Sequence, residues 1–298
     1  MISIFPEFIN LSIDIKEEIE KVIDQFPPYS DFNFVSLWCW NLSNKTELSL
    51  LNDNLVIRME DYTTSEIFYM FIGNSKVAET VSTLFEYLKS IKAIEEIYLI
   101  PEEMVQKNNA ALKKICSIEE DRDNFDYLID VDKLSKMEGR NLHQKRKLLN
   151  HFLEKNKPKV VTLRLNEDGV IKQVLDFFDV WKKAKGEYDS KNEEIAINNL
   201  FDLKDFTNLY VLFAFIDKKM IGFSVFEILL GYGIGDFQKG DINYKGIYEF
   251  LNFSIAKFLK EKQCKYYNIE QDLGIEGLRR AKLDYDPTFL KKYTLKGV

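Results

Sequence analysis

The stretch "TNLYVLFAFIDKKMIGFSVFEIL" (207–229) constrains the fold of this chain more than any other. Two apolar runs rich in β-branched and aromatic residues flank the polar triplet Asp217-Lys218-Lys219. Such runs read as strands and the triplet as a tight turn, so the stretch is a hairpin. "GYGIGDFQ" reads as a third strand. From Tyr244 to Leu259, the residues Ile247, Phe250, Leu251, Ile255, Phe258 and Leu259 recur at helical spacing and give a long helix with one apolar stripe. "CKYYNIEQD" is then a strand, a short helix covers about 275–282, and "TFLKKYTL" is a closing strand.

The first half is less sharply patterned. Residues 14–26 carry apolar positions at helical spacing and stop before Pro27-Pro28. "FNFVSLWCWN" is ambiguous between strand and helix. Residues 46–60 and 66–72 read as short strands, "KVAETVSTLFEYLKSI" as a helix, "EEIYLI" as a strand, "EEMVQKNNAALKKI" as a helix and "NFDYLIDV" as a strand. "GRNLHQKRKLLNHFLEKNKP" is a helix stopped by Pro158. "KVVTLRL" is a strand, and 168–185 and 191–202 are helices. A junction near 155–158 divides the chain into domains 1–155 and 156–298.

Composition narrows the function classes. At 298 residues the chain suits two domains or one large one. With 46% hydrophobic and 30% charged residues it reads as soluble and globular, and its 13 Gly and 6 Pro argue against long flexible linkers. The net charge of -7 disfavours a generally basic, nucleic-acid-coating surface, though it leaves room for a local basic patch. Cys39, Cys116 and Cys264 are too far apart for a Cys-x-x-Cys metal site and odd in number, so a reducing cytoplasm is the simpler reading. His143 and His151 sit eight apart on one helix, about 12 Å along its axis, and cannot share a metal unaided; no metal site is expected. There is no secretory leader pattern and no run long enough to span a membrane, while peripheral membrane contact stays open.

Two groups of residues suggest a site. In an extended strand over 264–272, Asn268, Glu270 and Asp272 fall on one face. Acid and amide groups at the C-terminal end of a strand suit a ligand, or simply a solvated sheet end. After Gly274 and Gly277, the short helix brings Arg279, Arg280 and Lys282; an arginine can fork onto carboxylate or phosphate, or these cations pair with Glu270, Asp272 or Asp284. On the 139–158 helix, Lys145 and Arg146 share the stripe of Leu142, Leu149 and Leu153. They snorkel past the core edge, pair with buried acids, or point into a polar cleft. No Gly-x-Gly-x-x-Gly loop, Walker loop or Gly-x-Ser-x-Gly elbow is present.

Three ordered motifs, "GRNLHQKRKLLNHF", "KGIYEFLNFSIAKFL" and "YNIEQDLGIEGLRRAKLDYDPTFLKKY", resemble the family built around the C-terminal domain of phosphatidylglycerol lysyltransferase. The resemblance covers most of the chain and is strongest from Gly139 to Tyr293. It implies an α/β (α+β, mixed-sheet) fold of two tandem GNAT-like acyltransferase domains. Membrane-bound relatives move an aminoacyl group from charged tRNA to a lipid headgroup; this chain lacks their membrane-spanning portion. Acyl-CoA enzymes of that fold bind pyrophosphate at a Gly-rich turn before a helix. The matching stretch, "FQKGDINYKGIYEF", keeps Gly240 and Gly246 without the full Gly-rich pattern.

The resulting expectation is an acyl- or aminoacyl-transferase acting from an activated ester or thioester onto an amine or hydroxyl. Asp272 or Glu270 binds an amino group or acts as base, and Tyr293 and Tyr244 serve proton or hydrogen-bond roles. Arg279 and Lys282 hold a phosphate or carboxylate, Asn268 lines the site, and Lys145 and Arg146 reach it from their helix. No bound cofactor is expected; acyl-CoA and aminoacyl-tRNA are both open as donor substrates, the tRNA without support from net charge. The alternative is a non-catalytic small-ligand-binding protein that keeps the fold.

Overall fold

Strands in this chain come from two distant parts of the sequence. The computed structural model describes residues 1–61, 64–185 and 191–297. It divides into two compact units, Met1–Phe125 with Leu290–Val298 and Asp126–Phe289. Each unit is built on one seven-stranded mixed sheet.

Unit 1 runs β1 (Ile9–Asn10), α1 (Lys16–Ile23), α2 (Phe34–Cys39), β2 (Glu47–Leu51), β3 (Asn54–Glu60), β4 (Ile67–Ile72), α3 (Val77–Ser90), β5 (Glu96–Pro101), α4 (Glu102–Leu112) and β6 (Cys116–Glu120). Unit 2 runs β7 (Asp126–Asp130), α5 (Val131–Lys136), α6 (His143–Asn156), β8 (Lys159–Arg164), α7 (Val170–Lys185), α8 (Lys191–Leu200), β9 (Leu209–Ile216), β10 (Lys219–Leu229), β11 (Tyr232–Gly240), α9 (Ile247–Glu261), β12 (Tyr266–Asn268), α10 (Glu276–Leu283) and β13 (Thr288–Leu290). The chain then returns to unit 1 as β14 (Lys292–Gly297).

The strand orders are β1-β2-β3-β4-β5-β14-β6 and β8-β9-β10-β11-β12-β7-β13. In both, the fourth and fifth strands are parallel: β4 meets β5 at Met70 and Tyr98, and β11 pairs with β12 from Tyr232–Tyr266 to Ile234–Asn268. In both, the sixth place is filled from the other half of the sequence. β14 lies between β5 and β6, and β7 pairs with β12.

The expected hairpin is β9–β10, turning at Asp217 with φ 54°. The α9 stripe buries Phe250, Leu251, Ile255 and Leu259 against Leu212, Ala214, Ile221 and Phe226. Each such side chain contributes about 2 kcal/mol by leaving water. On the other face, α7 sets Phe177 edge-on to Phe223.

Some expectations change. "FNFVSLWCWN" is helical because the Asn33 side chain accepts from Ser36 N at 2.7 Å and caps α2. "TFLKKYTL" is two strands serving two sheets. β6 and α5 were not anticipated; β6 carries charges along an exposed edge, and α5 starts at an Asp130 cap on Lys133 N. The junction expected near 155–158 lies inside unit 2, where α6 packs on α9 through Phe152 and Phe250, 5.0 Å apart. Pro158 ends a helix there without ending a unit.

Candidate functional site in unit 2

The site begins with an irregularity in the β10–β11 ladder. Ser224 pairs with Gln238 and Val225 with Phe237, but Phe226 pairs with Gly235. Asp236 is left over as a bulge. Bulges re-aim a side chain and are common beside functional sites. One strand over, β12 stops at Asn268 while β11 continues to Gly240, so the β11–β12 ladder ends beside the bulge.

Asp236 is half-buried, and its Oδ2 is sealed from solvent with no hydrogen-bond partner among the described residues. Glu227, next along β10 and 2% exposed, accepts from Asn208 Nδ2 at 3.2 Å. Burial first, then the Glu227 and Glu270 carboxylates, push the Asp236 carboxyl well above the ordinary carboxylate range. Three carboxylates within electrostatic reach, Glu227 buried and the other two half-buried, favour a shared proton or an incoming cation.

One buried tyrosine, Tyr267, lies within electrostatic reach of this group, and a second, Tyr285, shares its core cluster. The Tyr267 hydroxyl lies over Gly235, where an added Cβ would come within 2.7 Å of it; only glycine permits that approach. Burial, then Asp236 and Glu270, raise the Tyr267 hydroxyl above its usual value, and burial followed by Glu249 does the same to Tyr285. Both therefore keep their protons. Tyr285 closes a polar chain: Asn252 Nδ2 donates to its hydroxyl at 3.1 Å, while Gln238 Nε2 donates to Asn252 Oδ1 at 2.9 Å and Ser224 Oγ at 3.0 Å. The Lys145 ammonium stands 4.6 Å from the Tyr285 ring centre and donates to Glu249 at 3.1 Å.

The residues expected from the sequence take different places. Asn268, Glu270 and Asp272 do not share a strand face. Glu270 has a left-handed backbone, φ 58°, because the chain leaves the sheet after Asn268. Glu270 remains within electrostatic reach of Asp236. Asn268 is fully buried and donates to Asp126 at 3.1 Å. Asp272 is fully buried and accepts from Arg279 Nε at 3.0 Å, Arg279 Nη2 at 2.7 Å, Gly274 N at 2.9 Å and the Tyr127 hydroxyl. Burial opposes its charge, but Arg279, Tyr127 and Gly274 outweigh it and hold the carboxyl down to about 2. A carboxylate so held is a weak base, and its Arg279 fork is engaged by it. Lys282 donates to the carbonyls of Ile269 and Gln271.

Lys145 pairs with a buried acid, the second of the three readings given for it. Arg146 donates to the carbonyls of Met137 at 2.6 Å and Gly139 at 3.3 Å. Tyr244 lies under the Lys219 ammonium at 5.3 Å. Tyr293 belongs to unit 1, on β14, its hydroxyl 3.5 Å from Glu120. Asp236, Glu227, Tyr267 and Tyr285 were not anticipated. A signal existed for the acids: each is a lone carboxylate in an otherwise apolar strand, "GYGIGDFQ" and "MIGFSVFEIL". Among the described residues no His, Cys, Asp and Glu group could hold a metal ion.

The fold is a mixed α/β one of two units, each built on a seven-stranded mixed sheet. The chain belongs to the family described as phosphatidylglycerol lysyltransferase, C-terminal, whose model matches residues 24–296. It is similar to a conserved protein of unknown function from Bacteroides thetaiotaomicron, at 23% identity and TM-score 0.84, over 98% of this chain and 99% of that one. It is also similar to L-PGS from Bacillus licheniformis, at 13% identity and TM-score 0.66, over 99% and 93%, and to FemX, at 9% identity and TM-score 0.62, over 98% and 97%. At these identities the likeness establishes the fold. No curated protein matches. Among the described residues, no helix is long and apolar enough to cross a membrane.

Proposed function

We propose that unit 2 transfers an acyl or aminoacyl group from an activated ester or thioester to an amine or hydroxyl. The observation that carries this reading is the bulged Asp236, a carboxyl with a sealed, unpartnered oxygen and a raised proton affinity. Such a group is a better base than an ordinary aspartate. The acceptor attacks the carbonyl carbon, Asp236 takes its proton, and the alkoxide or thiolate leaves. Tyr267 and Tyr285, which keep their protons, are suited to donate to the oxyanion. Glu227 and Glu270 hold the amino group of donor or acceptor.

The turn before α9 speaks for a donor other than acyl-CoA. Gly246 caps α9 with φ 98°, and a Cβ there would come within 2.7 Å of the Leu148 carbonyl and 2.9 Å of Phe152 Cβ. Helix α6 thus packs directly on the residue that opens α9. The outer face of α6 and its flanks expose Arg140, Lys147, Lys155, Lys157 and Lys159, a basic ribbon on an acidic chain. That ribbon supports a tRNA-borne aminoacyl donor. The three free, buried cysteines suit a reducing cytoplasm.

The test offers labelled aminoacyl-tRNA and acyl-CoA with amine and hydroxyl acceptors. Transfer is expected from the aminoacyl donor and is lost in Asp236→Asn. Unchanged turnover in both Asp236→Asn and Glu270→Gln would remove the site from this region. If no donor is consumed while a small metabolite raises the melting temperature, the chain is a ligand-binding protein on an acyltransferase fold.

A further inference from the structure

Helix α10 buries no side chain. Leu273, Ile275 and Leu278 at its start are 46%, 57% and 37% exposed. A helix without buried apolar contacts is not held by the core, and two of its cations, Arg279 and Lys282, reach back to one loop, 269–274. Arg279 forks onto Asp272, and the Lys282 ammonium bridges the carbonyls of Ile269, at 2.6 Å, and Gln271. Between those two carbonyls stands Glu270.

The Glu270 backbone is fixed from further sides. Its N–H donates to Asn268 Oδ1 at 2.8 Å, and its carbonyl accepts from Tyr127 N at 3.3 Å. It is held at φ 58°, a region that suits glycine and is unfavourable for glutamate. A residue kept there against its preference needs a surrounding that enforces it. The enforced conformation keeps the Glu270 carboxylate within electrostatic reach of Asp236 on β11 and Tyr267 on β12.

We infer that α10 is a clamp, and that Lys282 and the Asp272–Arg279 fork are positioning residues that hold Glu270 in its left-handed conformation within the acidic group. They act on the reaction through Glu270 and take no part in binding a substrate phosphate or carboxylate. This rests on the transferase reading for its kinetic consequence, though not for its structural one.

The structural arm uses melting temperatures of the full chain. Glu270→Gly removes the carboxylate and relieves the backbone; Glu270→Gln removes the carboxylate charge and keeps the backbone strain, so the difference between them isolates the backbone. The excess of glycine over glutamine is expected to be positive in the natural background and at least halved in Lys282→Met, because the clamp that imposes the strain is gone. An equal excess in both backgrounds would overturn the inference. Since α10 contributes nothing to the core, Lys282→Met is expected to fold; Lys282→Arg provides a second background, which can still reach the carbonyls and should keep the excess.

The kinetic arm uses the transfer assay. Lys282→Met is expected to lower kcat/KM at least tenfold, and Lys282→Arg is expected to restore it. The acid limb of its pH profile should move to lower pH, because Asp236 no longer feels the Glu270 charge. An unchanged kcat/KM, or a fall with the limb unmoved, would overturn the positioning role. If the natural chain transfers nothing, the transferase reading fails, and the melting comparison still decides whether the clamp exists.

Discussion

Unit 1 and unit 2 lay their strands in equivalent orders, with the parallel pair in the same two places, yet they treat the fourth strand differently. In unit 1 it is β4, "IFYMFI", without an acid or a glycine. Its aromatics are engaged: Phe68 packs edge-on to Tyr98 at 6.0 Å, and Tyr69 on Tyr87 at 6.1 Å. In unit 2 it is β11, "YGIGDFQKG", with three glycines and an extra residue in register. One architecture is filled with rings; its counterpart is opened by a bulge and carries a carboxyl. What separates the apolar strand from its carboxyl-bearing counterpart here is largely a single unpaired position.

The contrast can be broken most severely through β14. Deleting residues 291–298 removes the strand between β5 and β6, with the fully buried Lys292 and Leu295. Amide exchange protection in β5 and β6 should vanish, and persistence of those protected amides would show that unit 1 does not depend on the borrowed strand.

A smaller effect is expected in unit 2 from Asp272→Ala, which strands the Arg279 and Tyr127 donors. Breaking a buried pair costs about 3 kcal/mol, read as a lower urea midpoint, while exchange rates in β2–β4 should not change. The sign of its pH dependence follows from the lowered carboxyl. The stabilisation is fully present above the ordinary aspartate range and is lost as pH falls through the folded value of about 2. The natural chain and Asp272→Ala should therefore converge in stability toward that pH. A gap that persists at pH 2 would contradict the ion pair as its source.

Asp236→Asn should act in the opposite direction. A carboxyl raised in the folded state stabilises below its unfolded value and loses that contribution as pH rises through the folded one. At neutral pH the asparagine variant is then expected to melt higher than the natural chain, by about 1.4 kcal/mol for each pH unit of the raised affinity that lies below the assay pH. The advantage should vanish at pH 4. Equal melting temperatures at both pH values would mean that Asp236 is not repelled by Glu227 and Glu270. Least of all should come from Arg280→Ala, whose partner Glu276 is also exposed, with side chains 77% and 86% accessible. Such a surface pair contributes little, and its urea midpoint should stay where it is.

The fold was legible where the signal was local. The β9–β10 hairpin and α9 follow from apolar spacing alone, and so do α3 and α6. The site was legible only in part. Glu270 was found by assuming that strand alternation continued to Asp272. The strand ends at Asn268, so Glu270 sits near the site through a left-handed turn that periodicity does not encode. Asp272 and Arg279 stand out in the sequence as charged groups, and the structure pairs them with each other; a spacing of seven residues shows that two opposite charges can meet without showing that they neutralise each other. Lys145 looked misplaced on an apolar stripe until Glu249 supplied its partner across 104 positions. Asp236 carried its own signal, a lone acid in an apolar strand, but its meaning required the register with β10.

The borrowed strands also set an order in time. Tyr293 pairs with Glu120 across 173 positions of sequence. A ribosome therefore delivers every helix of unit 1 and six of its seven strands long before the missing one emerges. Until then β5 and β6 have an unfilled gap between them, and the backbone groups that β14 will satisfy stay open to other partners. The half of the chain that is made first is thus the half that closes last.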